Sequence, residues 1–420
     1  MSSSRPRSYN ALRHRDYRVL WLAEIASMSG SQMMRVAIAW QIFELTRNPL
    51  NLGYLGLARF VPLVLFGLWG GVIADRGDRR RTLMVAQLLL MLTSLALVGL
   101  TVTGTITAPA IYLLTALSAT FGAVANPTRQ SLIPAIVPLR DLPGAMAMNG
   151  LAFQVGGVLG PALGGILIGL FGVVPLYVFD AVTFLLVAIA LATMRSRPVI
   201  PDSLSRGMQA VKEGLRFLWA TPILLGIMVL DFVATFFGFN SVLMPIFADE
   251  VLGGGPQTLG LLLAAPAIGA VVGSTVMAGI RLPDRAGRGV LLAIAVYGVC
   301  ILGFGLSTVL VVSLLFLAGS GAADAVSMAF RHTIRNEVTP SDLRGRIAAA
   351  YSTFAIGGPQ LGEFEAGVLA ALIGAPMAVA VGGVGVLASV ATVWLKVPTI
   401  ARYSTWKDET LLEAAIEPEK

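Results

Sequence analysis

Roughly twelve apolar runs follow one another along this chain, cut apart at glycines, prolines and charged clusters. A helix needs about 20 residues to cross a hydrocarbon layer, so runs of that length predict a chain threaded repeatedly through a membrane. They lie near residues 18–45, 52–74, 82–104, 109–131, 142–170, 175–195, 222–248, 257–281, 289–305, 309–331, 345–372 and 376–396. The rest of the composition agrees: 56% of the 420 residues are hydrophobic and 13% charged, against about 25% charged in a soluble domain. No cleavable signal is expected, because the apolar stretch after the basic start MSSSRPRSYNALRHRDYR is too long for one.

Charge sets the orientation. The loop arginines and lysines from Arg76 to Arg346 fall on one side of the predicted spans, and only Arg47 sits in a loop on the other. The positive-inside rule then places both termini in the cytoplasm. The net charge of +7 is spread over these loops, so it orients the chain in the lipid bilayer and does not indicate a nucleic-acid partner. The single cysteine, Cys300, lies within an apolar run and offers neither a disulfide nor a cysteine-based metal site.

Two charged loops interrupt the pattern in an informative way. GGVIADRGDRRR, Gly70 to Arg81, lies between two apolar runs, and GIRLPDRAGRG, Gly279 to Gly289, repeats it 209 residues on, so that Asp75, Arg76 and Arg79 are echoed by Asp284, Arg285 and Arg288. A second repeat aligns VPLRDLPGAM (Val137–Met146) with VTPSDLRGRI (Val338–Ile347), and Gly156-Gly157 with Gly357-Gly358. The chain therefore reads as two related halves: residues 1–195 and 222–396 as six-helix bundles, 196–221 as a linker, and 397–420 as a tail that is acidic at its end. In the linker Met208, Val211, Leu215 and Leu218 alternate at helical spacing with Arg206, Lys212, Glu213 and Arg216. That pattern predicts an interfacial amphipathic helix, or else a plain solvated tether.

Two halves of six spans, a central linker and D-R-x-x-R loops after the second and eighth spans resemble the major facilitator superfamily over nearly the whole chain. Gly71 to Arg80 is similar to that family's signature G-x-x-x-D-R-x-G-R-R/K, except that Asp78 replaces the second glycine. This variant resembles the branch of enterobactin exporters and macrolide efflux proteins, which are drug:proton antiporters. GGVLGPALGG, Gly156 to Gly165, is similar to the g-x-x-x-G-P-x-x-G-G pattern of antiporting exporters, and Gly358-Pro359-Gln360-Leu361-Gly362-Glu363 in the second half departs from it. The resemblance implies an all-α fold of twelve transmembrane helices in two pseudo-symmetric bundles. It also implies a monomer in the bacterial inner membrane that exports a drug, macrolide or siderophore against a proton gradient, with no cofactor and no metal.

Each motif has a physical use. Asp75 can accept from a helix N-terminus and pair with arginines, which makes Gly71, Asp75, Arg76, Arg79 and Arg80, their echoes Asp284, Arg285 and Arg288, and Arg129 of the NPTRQ run candidates for a cytoplasmic gate. The arginines could instead only enforce topology. Gly156, Gly160, Gly164 and Gly165 allow close backbone approach and Pro161 frees a carbonyl, which suits either a moving seam or static packing.

Ionisable groups inside a span are costly unless paired or hydrated, and each is a functional candidate. Glu24, Asp231, Asp324 and Glu363 are the candidates for proton coupling, since a carboxylate must change protonation as the cavity switches sides. Glu24 and Arg35, eleven residues apart, share a face but stand about 16 Å apart and need other partners. Arg59 is available to Glu24 or Asp180, while Asp180 itself is expected near the periplasmic interface. Glu363 and Glu365 lie on opposite sides of their helix. Arg35, Arg59, Gln154, Phe236, Phe237 and Asn240 are expected along the substrate cavity, although aromatics at this spacing also suit plain packing.

Export of a small organic molecule is the leading expectation, with a lysophospholipid flippase or a facilitative importer as alternatives of the same fold. A non-transporting receptor or scaffold would not need charged loops in both halves together with buried acids. An enzyme is not expected, because His14 and His332 fall at cytoplasmic positions and no Ser/His/Asp set occupies the spans. No G-x-x-x-x-G-K-[ST] loop is present for direct ATP drive.

Overall fold

The computed structural model describes residues 8–76, 78–194, 216–279, 285–340 and 343–403. Twelve long helices account for nearly all of them. In chain order they are α1 (Arg15–Thr46), α2 (Pro49–Arg76), α3 (Arg79–Val102), α4 (Ala108–Ile136), α5 (Leu142–Phe171), α6 (Val174–Ala192), α7 (Pro222–Phe237), α8 (Gly255–Gly279), α9 (Ala286–Leu306), α10 (Leu310–Val338), α11 (Arg344–Ile373) and α12 (Ala375–Lys396), followed by the short α13 (Pro398–Arg402). Among the described residues ten of these segments are long and apolar enough to cross a membrane. α1 and α11 fall outside that set, and they carry some of the charged side chains discussed below. Large apolar side chains such as Leu292, Leu315 and Leu395 stand exposed on the helices, as hydrocarbon-facing positions require.

Local chemistry sets the helix ends. Asp78, the residue that departs from the loop signature, accepts from the backbone N–H groups of Arg80 and Arg81 and so caps the start of α3, satisfying two orphan donors. Proline occupies the first turn of α4, α5, α6, α7 and α12, where its missing N–H costs nothing. α5 and α11 stop at Gly172 and Gly374, whose φ angles of 74° and 84° favour glycine.

The chain forms two compact units, Met1–Asp202 with Gly253–Ala264, and Ser203–Leu252 with Ala265–Lys420. Gly253–Ala264, within the span expected in the second bundle, groups with the first unit. The reason is backbone proximity: a Cβ on Gly260 would stand 2.9 Å from Cα of Gly165 and 3.0 Å from the Pro161 carbonyl. Most of the expected linker, residues 196–215, lies outside the described residues; 216–220 is helical and Leu218 is buried in the second unit's core. The start of the tail is ordered by packing. Ile400 is fully buried, Arg288 donates to the Ala401 carbonyl and Tyr403 donates to Glu337.

In the first unit the glycines of α5 form a seam. Side chains added at Gly156 and Gly160 would meet α1, with Gly156 Cβ 3.0 Å from Met28 Cβ and Gly160 Cβ 2.9 Å from the Ser29 carbonyl. Gly164 faces Met33 of the same helix, while Gly165 turns toward Gly260. Pro161 leaves α5 continuous. Gly157, one position from the seam, has open space around it. Gly160→Ala is therefore expected to destabilise the protein by about 1–3 kcal/mol through overpacking, and Gly157→Ala to be nearly neutral, which thermal denaturation of the purified protein checks.

Before α1, the turn Ser8–Arg13 docks on α5. His14 and Asp141, the residue before α5, approach to 2.9 Å, and Tyr17 and Trp21 donate to the carbonyls of Ala145 and Met148. The hydrogen bond from His14, aided by the charge of Arg140, holds the Asp141 carboxyl below its ordinary value against a smaller opposing effect of desolvation. A depressed carboxylate stabilises the fold above its unfolded value of about 3.9 and loses that contribution as pH falls below it. Asp141→Asn is thus expected to flatten the acid limb of a stability-versus-pH profile, below pH ~5.

Candidate functional site

The first unit encloses a cavity of about 270 Å³. Its wall on α1 is a single stripe, Glu24, Ser27, Met28, Ser31, Gln32 and Arg35, spaced as one face of a 3.6-residue helix. α4 answers with a parallel stripe from Ser118 through Asn126 to Arg129, and Gln87 and Leu90 of α3, Phe153 of α5 and Phe184 of α6 complete the wall.

Glu24 and Arg129 are joined across this space. Arg129 Nη1 donates to Glu24 Oε2 at 2.8 Å, and Glu24 is 5% exposed. Arg129, expected at the mouth among the gate residues, instead belongs to the cavity wall, because eleven residues separate it from Ser118 on the same helical face. Arg59 does not line this cavity; it is half-buried on α2. Gln154 is exposed, and its neighbour Phe153 takes the place in the wall that Gln154 was expected to fill, since one residue turns the helix by about 100°.

Asp180 is fully buried, not interfacial as expected. Ser94 donates to its Oδ2 at 2.7 Å and Ser31 to its Oδ1 at 3.3 Å, and the charge of Arg35 acts on it. Asp180 so ties α1, α3 and α6 together, where the close approach of Gly30 to Thr183 also brings α1 against α6.

The second unit carries a related arrangement. Arg331 of α10 donates to Asp231 of α7, and its Nη2 donates to Asp324 Oδ1 at 3.1 Å. In both units an acid of the first helix meets an arginine of the fourth: Glu24 with Arg129, Asp231 with Arg331. Sequence reasoning missed Arg331, although its spacing of seven residues from Asp324 places both on one face of α10.

α7 breaks at Gly238. The exposed backbone is satisfied locally: Phe239 N–H donates to the Tyr297 hydroxyl at 2.8 Å and the Asn240 amide to the Gly238 carbonyl at 3.1 Å, as an irregular segment at membrane depth demands. Just beyond, Ser241 donates to Glu363 Oε1 at 2.8 Å. Asn240 is 3% exposed, and its Oδ1 has no hydrogen-bond partner among the described residues. Phe237 was expected along the cavity, but it packs against Gly385 of α12 and the unit's apolar core. Phe236 is half-buried between Phe232 at 6.0 Å and Phe237 at 4.9 Å between ring centroids.

Arg79, Arg80 and Arg288 bind carbonyls of their own unit. Arg79 donates to Ser131 and Arg80 to Ala192, the last residue of α6, where an orphan carbonyl and the helix dipole both favour a cation. Arg288 serves the tail as described, and Arg285 precedes α9. The backbone at Gly71, Asp75 and Arg76 continues α2. Asp284 lies outside the described residues.

A sequence profile of the transmembrane secretion effector family, a branch of the major facilitator transporters, matches residues 7–419. The chain belongs to that family. It is a major facilitator transporter and not an enzyme. An enterobactin exporter of Escherichia coli O81 (strain ED1a) is 27% identical over 383 residues, covering 89% of this chain and 90% of that protein. Its counterpart in Escherichia coli O139:H28 (strain E24377A / ETEC) matches with the same identity and coverage. Among solved structures, a bacterial homolog of the human lysosomal transporter Spinster, inward-facing and occupied, superposes with a TM-score of 0.77 at 15% identity, covering 95% of this chain and 99% of that one. A D-xylose–proton symporter superposes with a TM-score of 0.69 at 16% identity, covering 91% and 98%. At those identities the likeness shows the fold.

Proposed function

We propose that this transporter exports a siderophore-like small organic molecule from the cytoplasm across the bacterial inner membrane, by alternating access driven by protons moving inward. The observation that carries the reading is the buried Glu24–Arg129 pair in the wall of a polar cavity. A carboxylate there can exchange an arginine for a proton as access changes, which links protonation to conformation. The relatives named as enterobactin exporters support the substrate class and the direction.

In this reading Glu24 is the primary coupling acid, and Asp231, Asp324 and Glu363 are secondary ones. Arg35 meets the substrate, Arg59 steadies α2, and the loop residues Gly71, Asp75, Arg76, Arg79, Arg80, Asp284, Arg285 and Arg288 close the cytoplasmic side. Both termini are cytoplasmic, the protein acts as a monomer, and the proton gradient is its sole energy source.

Inside-out vesicles with an imposed pH gradient test this, with enterobactin as the probe. Uptake that follows the gradient and collapses with a protonophore is the expected result. Movement at the same rate without a gradient would overturn proton coupling and favour a facilitative or lipid-moving transporter.

A further inference from the structure

The cavity reaches past α1 and α4 to α3 and α6, and some of the buried polar atoms of its lining residues are unmatched. Glu24 and Gln87 are each 5% exposed, and Glu24 Oε1 and Gln87 Oε1 have no hydrogen-bond partner among the described residues. The same holds for Arg129 Nε, a donor. All three residues line one cavity. Buried polar atoms are normally satisfied, so two acceptors and one donor in one wall specify what a ligand must bring.

We propose that Glu24, Gln87 and Arg129 form a subsite that takes one hydroxyl-bearing aromatic ring of the exported molecule, with Gln87 as a specificity-determining residue. One hydroxyl donates to Glu24 Oε1 or Gln87 Oε1 and accepts from Arg129 Nε, and a second hydroxyl on the same ring supplies the donor for the remaining acceptor. A cationic amine also donates, but an ammonium has no lone pair with which to accept from Arg129 Nε. Phe153 and Phe184, with Met28 and Leu90, give the ring its apolar surroundings. The volume of about 270 Å³ lies just under the range of about 300–1,000 Å³ for pockets holding whole drug-sized ligands, so it suits a single ring and not an entire siderophore. The identity of that larger molecule rests on the export reading; the hydroxyl preference does not.

Binding of catechol and of its dimethyl ether, 1,2-dimethoxybenzene, to the purified full-length protein tests the subsite by titration. The variants are Gln87→Leu, which removes the acceptor, and Gln87→Glu, which keeps one. Comparing each variant with the parent in the same detergent cancels partition of the probes. Catechol is expected to bind the parent saturably, to weaken at least about tenfold in Gln87→Leu, and to recover in Gln87→Glu. The ether is expected to bind weakly and to be indifferent to both substitutions. Equal binding of both probes, no saturable catechol binding, or a Gln87→Leu variant with undiminished catechol affinity would each overturn the proposal. Gln87-dependent catechol binding in a protein that shows no gradient-driven transport would uphold the subsite and sink the export reading alone.

Discussion

Glu24→Gln is expected to abolish gradient-driven accumulation of substrate while leaving the protein folded. Gln fills the same volume and still accepts from Arg129, but it cannot take up or release a proton. Arg129→Gln instead strands a carboxylate that is 5% exposed, and losing a charged hydrogen bond in that setting costs about 1.5–3 kcal/mol. The double variant should recover most of that stability and none of the accumulation. A cycle of denaturation and vesicle-uptake measurements on the four proteins separates the two effects. Normal accumulation by Glu24→Gln would mean that the coupling acid lies elsewhere, with Asp231 and Glu363 next in line.

The largest loss of stability is expected from Arg331→Leu. The side chains of Arg331 and Asp231 are 5% and 8% exposed, and removing one member of a buried pair leaves the other's charge buried without its counter-charge, at about 3–5 kcal/mol. Asp324 is better placed to survive the change because its side chain is 52% exposed. Adding Asp231→Asn to Arg331→Leu removes the stranded charge and should restore much of the loss, as followed by melting temperature and yield. If Arg331→Leu alone were neutral, the pair would not be holding α7 to α10.

Much of this architecture was legible in the residues. A hydrocarbon layer demands about 20 apolar residues per crossing, so the runs marked α1 to α12 closely, save that the run 222–248 outlasts α7, which stops at Phe237. The α5 glycines announced a close approach, and the spacing of Glu24 and Arg35 put them on one face, where both line the cavity. What could not be read is which residues meet across more than a hundred positions. Helix rotation decides that, and all sides of a membrane helix are apolar enough to hide it. Arg129 was read as a mouth residue and Asp180 as an interfacial one because both stand within a few residues of loops in the sequence. Arg331 was overlooked for the same reason, lying beside His332 and Arg335 near the end of α10. Gln87 carried no signal at all: it is one amide in MVAQLLLM, and only the turn of α3 aims it inward. Asp78 is the instructive exception, since a change from glycine in the loop signature became a helix cap.

The α5 seam bears on how far such a chain can drift. Its fit rests on three positions that lack a side chain and on the backbone and near side-chain atoms of α1 beneath them. A joint of that kind asks little of the residues around it. Substitutions can accumulate on the lipid-facing surfaces without altering the angle at which the two helices meet, so the geometry is inherited through a handful of glycines while the cavity-facing stripe of α4 remains free to diverge.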